Sequence, residues 1–167
     1  MTGAHFGAAG SAGSGKPSAS GDAGQDFLSG LLAGPTDTAA AQKVNTGGAE
    51  LKSLAEKGSF AVNEAGLQAY VKACNFFLEG YDRMYQDVQM LSQAAQMGSS
   101  PYAHAVADFN VKVANGDPQS LLPNLELMRK GVEQARDALT IARKNYRETE
   151  DAHSTSFAEL NKELNDK

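Results

Sequence analysis

The sequence predicts an all-α protein in which two long antiparallel helices form a helical hairpin with a short helix in the connector. Apolar residues recur at alternating steps of three and four along two long segments, which is the spacing of a helix–helix seam. Gly- and Pro-containing stretches separate these segments. The N-terminal residues 1–48, rich in Gly, Ala and Ser, lack this spacing. No segment alternates like a β-strand.

The first long helix is predicted over about residues 63–97, with residues 98–101 (Gly-Ser-Ser-Pro) ending it. Its seam residues are Leu67, Val71, Cys74, Leu78, Tyr81, Tyr85, Val88 and Leu91. Tyr70, Phe77 and Met84 widen the apolar stripe on one side. Because one neighbouring helix cannot cover so wide a stripe, we expect a second hairpin, from a partner or another copy, to complete a four-helix bundle.

A short helix is predicted over residues 102–115, whose apolar residues recur at helical spacing. The turn signal at 115–118 (Asn-Gly-Asp-Pro) separates it from the second long helix. That helix is expected to be regular from Asn124 and to run to the C-terminus. Its seam residues include Leu125, Met128, Val132, Ala135, Leu139, Ala142 and Tyr146. Only Gly131 counts against a helix in this segment.

Residues 1–59 are predicted to be a flexible N-terminal tail, and residues 60–167 a helical-hairpin domain. Most of the 17 glycines lie in the tail, which has too little apolar area to offset the entropy of ordering it. A short apolar patch, Phe27 to Leu32, interrupts the tail, as a loosely packed turn or as a linear motif for a partner's groove. The first basic residue is Lys16, so the start does not resemble a secretory signal peptide.

The composition narrows the classes of function. A formal net charge of −5 argues against a general nucleic-acid binder, which needs a basic surface. A single Cys excludes an intrachain disulfide and every two-Cys zinc pattern. No apolar run approaches the ~20 residues of a membrane-spanning helix. We therefore expect no nucleic-acid partner and no stable insertion into a membrane.

The sequence contains no convincing catalytic or metal-binding constellation. His5, His104 and His153 do not pair with another His or an acid at a ligand spacing, so no metal or cofactor is expected. Cys74 lies on the first seam, where a lone Cys is usually a small buried residue; a reactive thiol or an intermolecular disulfide is the alternative. The glycines of residues 10–16 fail the spacing of a phosphate-binding loop. We expect that the protein is not an enzyme.

One pair of residues stands out late in the second long helix. Tyr146 and Glu150 are four residues apart and therefore share one helix face. Spacing alone is also compatible with a seam tyrosine beside a solvated glutamate. The second long helix is predicted to be longer than the first. The pair should therefore lie near or past the end of its intramolecular partner, on surface that another protein can contact.

Residues 60–160 resemble the small helical substrates of actinobacterial type VII (ESX) secretion, and most closely the EspC-like family, which is related to the WXG proteins. The resemblance is carried by residues 60–63 (Phe-Ala-Val-Asn), by Leu67 and Leu78, and by residues 138–152, which end in Tyr-x-x-Thr-acid-x-Ala. The Trp-x-Gly turn of the WXG relatives is absent, and the turn at residues 115–118 occupies the corner instead.

The resemblance implies export without a cleaved signal peptide, and recognition of a folded helical dimer by the membrane ATPase of the secretion system. Carried over to this chain, the secretion signal is Tyr146 and Glu150. The expected function is that of a secreted or cell-surface substrate or co-substrate that assembles into a helical bundle with itself or a partner. The alternative is a cytosolic helical adaptor or oligomerising scaffold. The predicted partner interface consists of Leu67, Val71, Leu78, Tyr81, Leu125, Val132 and Leu139.

Overall fold

The computed structural model describes residues 20–60, 62, 64–93 and 96–165. Within these ranges the chain is entirely helical, without a β-strand, as the sequence predicts. The five helices are α1 (Ser20–Ala33), α2 (Thr38–Glu56), α3 (Glu64–Leu91), α4 (Pro101–Asn115) and α5 (Leu121–Asn165). Helix α5 is the centre of the structure, because α2, α3 and α4 all pack against it.

Helices α3 and α5 are the two long helices expected from the apolar seams, and they pack antiparallel. Tyr85 donates a hydrogen bond from its hydroxyl to Glu126 Oε1 at 3.3 Å. Ten residues earlier in α3 and ten later in α5, Arg136 Nη1 donates to Asn75 Oδ1 at 3.4 Å. The two contacts fix the register of the pair. Helix α3 ends at Leu91, earlier than the sequence predicts.

The prediction of a flexible tail is wrong for residues 20–59, where α1 and α2 form. Helix α2 packs along α5, and α1 packs on α2. Ala41, Val44 and Ala55 of α2 are fully buried. The predicted boundary between residues 59 and 60 therefore does not separate a tail from a folded domain. Residues 1–19 lie outside the described residues.

Glycines allow α2 to approach both of its neighbours closely. A Cβ atom on Gly48 would overlap the backbone of Gly131 in α5, and one on Gly131 would overlap the carbonyl of Val44. On the other side, a Cβ on Gly30 of α1 would lie 2.6 Å from the carbonyl oxygen of Ala40. The small residues that made this segment resemble a tail are therefore the ones that its close packing requires, and close contact recovers dispersion energy.

Buried polar side chains fasten the connecting loops to α5. Asn124 is completely buried, and its Nδ2 donates to the carbonyl of Pro35 in the α1–α2 loop at 3.0 Å. The hydroxyl of Ser120 accepts a hydrogen bond from the Gly116 N–H at 2.9 Å and donates to the Lys112 carbonyl at 2.8 Å. These bonds join the end of α4 to the start of α5 and satisfy buried polar groups.

The short connector helix lies close to its expected position. Helix α4 begins at Pro101, which suits the first turn because its missing N–H would have no partner there. The Ser100 hydroxyl caps the helix by accepting from the Ala103 N–H at 3.1 Å. Helix α5 begins at Leu121 rather than Asn124, since a proline in the first turn, here at position 123, costs no helix hydrogen bond.

Candidate functional site

Helix α5 continues past the end of α2 and past the start of α3, the two helices that pack along it. Helix α2 ends at Glu56, where Asn145 Nδ2 of α5 donates to the carbonyl of Ala55 at 2.8 Å. In the register set by Asn75 and Arg136, the start of α3 lies beside about residue 147 of α5. Every residue from 146 to 158 is exposed. We call residues 146–165 the projecting end of α5.

The predicted signal residues lie at the base of this projecting end. Tyr146 is 44% exposed, and Glu150 is also exposed. Residues four apart on a helix are neighbours on one face, with Cβ atoms ~5–6 Å apart. The structure therefore places an aromatic ring and a carboxylate side by side on accessible surface. Their role in secretion remains a prediction.

The acidic neighbour Glu148 differs from Glu150 in its surroundings. Glu148 Oε1 lies 3.7 Å from Lys144 Nζ, one turn earlier in the same helix. Two residues from Tyr146, Glu148 is about 200° away around the helix axis. The projecting end also contains Thr149, whose hydroxyl donates to the carbonyl of Asn145 at 2.9 Å. Glu148 is therefore a matched carboxylate on a different face of the same exposed helix.

The residues predicted to form a partner interface lie in the core of the chain itself. The buried ones are Leu67, Leu78, Tyr81, Leu125, Val132 and Leu139, and Val71 is half-buried against the same core. The interface prediction is wrong for this set, because helices of the same chain cover it. The second hairpin that was expected from a partner is supplied by α1 and α2, which contribute Phe27, Val44 and Leu51 to the core.

The apolar patch in the predicted tail also has a place in the core. Phe27 is buried there, and Leu31 packs partly against it. Leu28 and Leu32, on the outer side of α1, are exposed. Of the two interpretations of this patch, packing on the body of the protein therefore holds for Phe27 and Leu31. Both residues belong to a regular helix rather than to a loose turn.

Two titratable groups in the core are held in their neutral forms. Burial raises the pKa of the Cys74 thiol, although the positive charge of Arg136 acts in the opposite direction. Burial also raises the pKa of Tyr81 to about 12. A neutral, buried thiol is a poor nucleophile, so Cys74 behaves as a small core residue.

Helix α4 exposes an apolar face that the sequence analysis did not identify as surface. Tyr102 is 79% and Phe109 65% exposed. With half-buried Val106 and exposed Val113 they follow one helical face. The opposite face packs inward through the small residues Ala107 and Ala114. Alanine content alone could not have identified this side, because Ala105 of the same helix is exposed.

The described part of the chain offers neither a metal site nor a membrane helix. Among its residues, no group of three or more His, Cys, Asp or Glu side chains could hold a metal ion. None of the helices in the described ranges combines the length and the apolarity needed to cross a bilayer. His104 and His153 are exposed on α4 and α5, and His5 lies outside the described residues.

Comparison with known protein families, with characterised proteins and with solved structures found no match to this chain. The resemblance to the EspC-like family therefore remains a prediction from the residues that carry it. The geometry of α5 is the remaining basis for a functional proposal.

Proposed function

We propose that this chain is a non-enzymatic helical protein exported by a type VII (ESX) secretion system, with Tyr146 and Glu150 as its recognition element. The observation that carries the proposal is the projection of α5 beyond α2 and α3. This projection leaves the Tyr-x-x-x-Glu pair on accessible helix surface. The pair is attached to the body through the buried first half of the same helix.

The recognition step follows from the chemistry of the two side chains. A groove on the secretion ATPase would take the Tyr146 ring, which supplies apolar contact area and a hydroxyl. A basic group beside that groove would pair with the Glu150 carboxylate in a charge-assisted hydrogen bond. Because both side chains share one helix face, they are presented together to the same groove.

Assembly with a second copy or a helical partner is the other half of the proposed function. The predicted seam residues cannot mediate it, since they are buried within the chain. Support comes instead from large apolar side chains left in solvent, foremost Phe76 on α3 and Tyr102 and Phe109 on α4. Exposed apolar patches are typical of protein–protein contacts. The proposed location after export is the cell surface or the medium, reached without a cleaved signal peptide.

The test is export from a strain with a working type VII system. Tyr146→Ala and Glu150→Ala should each abolish accumulation in the medium while the protein persists in cells. Glu148→Ala is the matched control and should be exported normally, because its carboxylate lies on another face. Each variant is also measured by circular dichroism, where changes within about 0.5 kcal/mol are expected for exposed positions.

The alternative function, a cytosolic helical adaptor or scaffold, would use the same exposed apolar face of α4 to bind its partner. It makes the opposite forecast for the same experiment. Export of folded Tyr146→Ala and Glu150→Ala at the wild-type level would contradict the export proposal and favour the adaptor. Loss of export that merely follows loss of stability, with Glu148→Ala equally affected, would also count against a recognition element.

A further inference from the structure

An apolar cavity of about 120 Å³ lies between α1 and α3. Helix α1 packs on α2, and α3 packs on α5, but α1 and α3 make little contact with each other. The gap between them is also lined by Leu51 of α2 and by Val132 and Leu139 of α5. We call this space the α1–α3 cavity.

The lining of the cavity is apolar and does not favour bound water. It contains no charged side chain, and aromatic rings enter it from three parts of the chain through Phe27, Phe60, Tyr70 and Phe77. The Cys74 thiol is also in the wall and is neutral for the reason given above. A water molecule is held stably in a cavity only where about 2–4 polar groups bind it. The cavity therefore favours an apolar occupant.

The size and the access of the cavity suit a small molecule. Cavities of about 150 Å³ with comparable apolar linings bind benzene and stay dry without it. Leu28 and Phe77 line the cavity and are 43% and 36% exposed, so its mouth opens beside them. The Phe77 ring stacks on Tyr81, with the ring centroids 6.4 Å apart, which holds it at this mouth.

We propose that the α1–α3 cavity is a binding site for a single-ring aromatic molecule. The surrounding rings favour an aromatic guest over an alkyl chain, because edge-to-face and offset contacts between rings add to the energy of burial. This proposal is separate from the export proposal, because neither Tyr146 nor Glu150 lines the cavity.

A glycine in the wall offers a way to fill the cavity. Gly24 of α1 lines it and is buried, yet a Cβ built on Gly24 meets no atom within 4 Å. Gly24→Leu should therefore occupy the space without a clash at its Cβ. Gly80 of α3 also has open space at its Cβ but does not line the cavity. Gly80→Leu is the matched control.

The experiment titrates the full-length protein with benzene and follows methyl resonances by NMR. Saturable shifts are expected at Leu51, Val132 and Leu139, and not at Leu125, which is buried elsewhere. The shifts should disappear in Gly24→Leu and persist in Gly80→Leu. Absence of saturable shifts, shifts centred on the exposed α4 residues, or shifts unchanged in Gly24→Leu would overturn the proposal.

A second readout uses the wild-type protein alone, and it decides the matter if Gly24→Leu does not fold. Urea denaturation is measured with and without benzene. At a benzene concentration ten times its dissociation constant, binding to the folded state should raise the folding equilibrium constant about tenfold. An unchanged equilibrium constant would overturn the proposal.

Discussion

The two halves of α5 belong to one continuous helix and have opposite surroundings. Before Asn145, α2 and α3 pack along it, and Met128 and Val132 are almost completely buried. After Asn145, the residues up to position 158 are all exposed, including Phe157. Local helix contacts remain in the second half, such as the Lys144–Glu148 pair. The change at Asn145 is that other helices no longer pack over α5.

The difference shows what a periodic apolar pattern does and does not determine. The spacing that places Leu125 and Val132 on the seam continues through Tyr146 to Phe157 without a break in helical phase. Periodicity at 3.6 residues predicts a helix with an apolar side. Burial of that side depends on where neighbouring helices end, and α2 and α3 both end near the level of Asn145.

Removing residues from either end of the chain should give the largest difference between the two halves of α5. Deletion of residues 1–56 removes α1 and α2 and uncovers Val132 and Ala138 of α5. We expect loss of a cooperative thermal transition by circular dichroism, because native stability is a small difference between large terms. Deletion of residues 151–167 removes the exposed residues 151–158 and should change stability by no more than about 0.5 kcal/mol. Equal tolerance of both deletions would show that α1 and α2 do not belong to the core.

Truncating one large side chain in each half of α5 should give very different losses of stability. Leu125→Ala creates a cavity in the buried half and should cost about 2–5 kcal/mol. Phe157→Ala, in the projecting end, should cost less than about 0.5 kcal/mol although it removes a larger group. Urea denaturation of both variants at low protein concentration measures the two values. A large loss for Phe157→Ala would mean that something covers the projecting end.

The close crossing of α2 and α5 predicts that two Gly→Ala substitutions change the stability of the protein in opposite directions. Gly131→Ala forces backbones apart and should destabilise the protein by about 1–3 kcal/mol. Gly80→Ala meets open space in α3 and should instead stabilise it by about 0.5–1 kcal/mol, since alanine is the better helix former. Thermal melts compare the two variants. Stabilisation by Gly131→Ala would contradict the close crossing.

The smallest effect concerns the tyrosine in the core. The pKa of Tyr81 is about 12 in the folded protein and 10 when unperturbed, because burial favours the neutral phenol. A raised folded-state pKa stabilises the fold below pH 10, and that contribution is lost as the pH rises from 10 through about 12. Tyr81→Phe should therefore flatten the alkaline fall in stability. An alkaline fall that is unchanged in Tyr81→Phe would contradict the burial of Tyr81.

Local signals were sufficient to predict α3, α4 and α5 from the sequence. Proline and capping residues mark the start of α4, and the unbroken seam marks α5. The position of Tyr146 near the end of its neighbours also followed from relative helix length. These features depend on residues close in sequence, and local physical chemistry determines them.

Helices α1 and α2 could not be predicted from the same signals. Glycine has a low intrinsic helix propensity, and Gly30, Gly47 and Gly48 made the segment resemble a flexible tail. These glycines are accommodated by tertiary contacts: Gly47 packs on Phe27 of α1, and Gly48 packs on Gly131, more than 80 residues away. The predicted partner interface failed for the same reason, since those residues are covered by the helices that the sequence analysis missed. The exposed face of α4 likewise depends on tertiary placement.

Amide hydrogen exchange along α5 in the isolated protein tests the two-halves account most directly. Exchange reports the free energy of local opening at each amide. We expect amides from Leu125 to Asn145 to be protected nearly as strongly as global unfolding allows. Protection should fall steeply after Tyr146, so that Glu150 lies on a helix held by local bonds alone. Uniform protection through Phe157 would contradict the account, because it would show that the projecting end is packed and that the Tyr146–Glu150 face is covered.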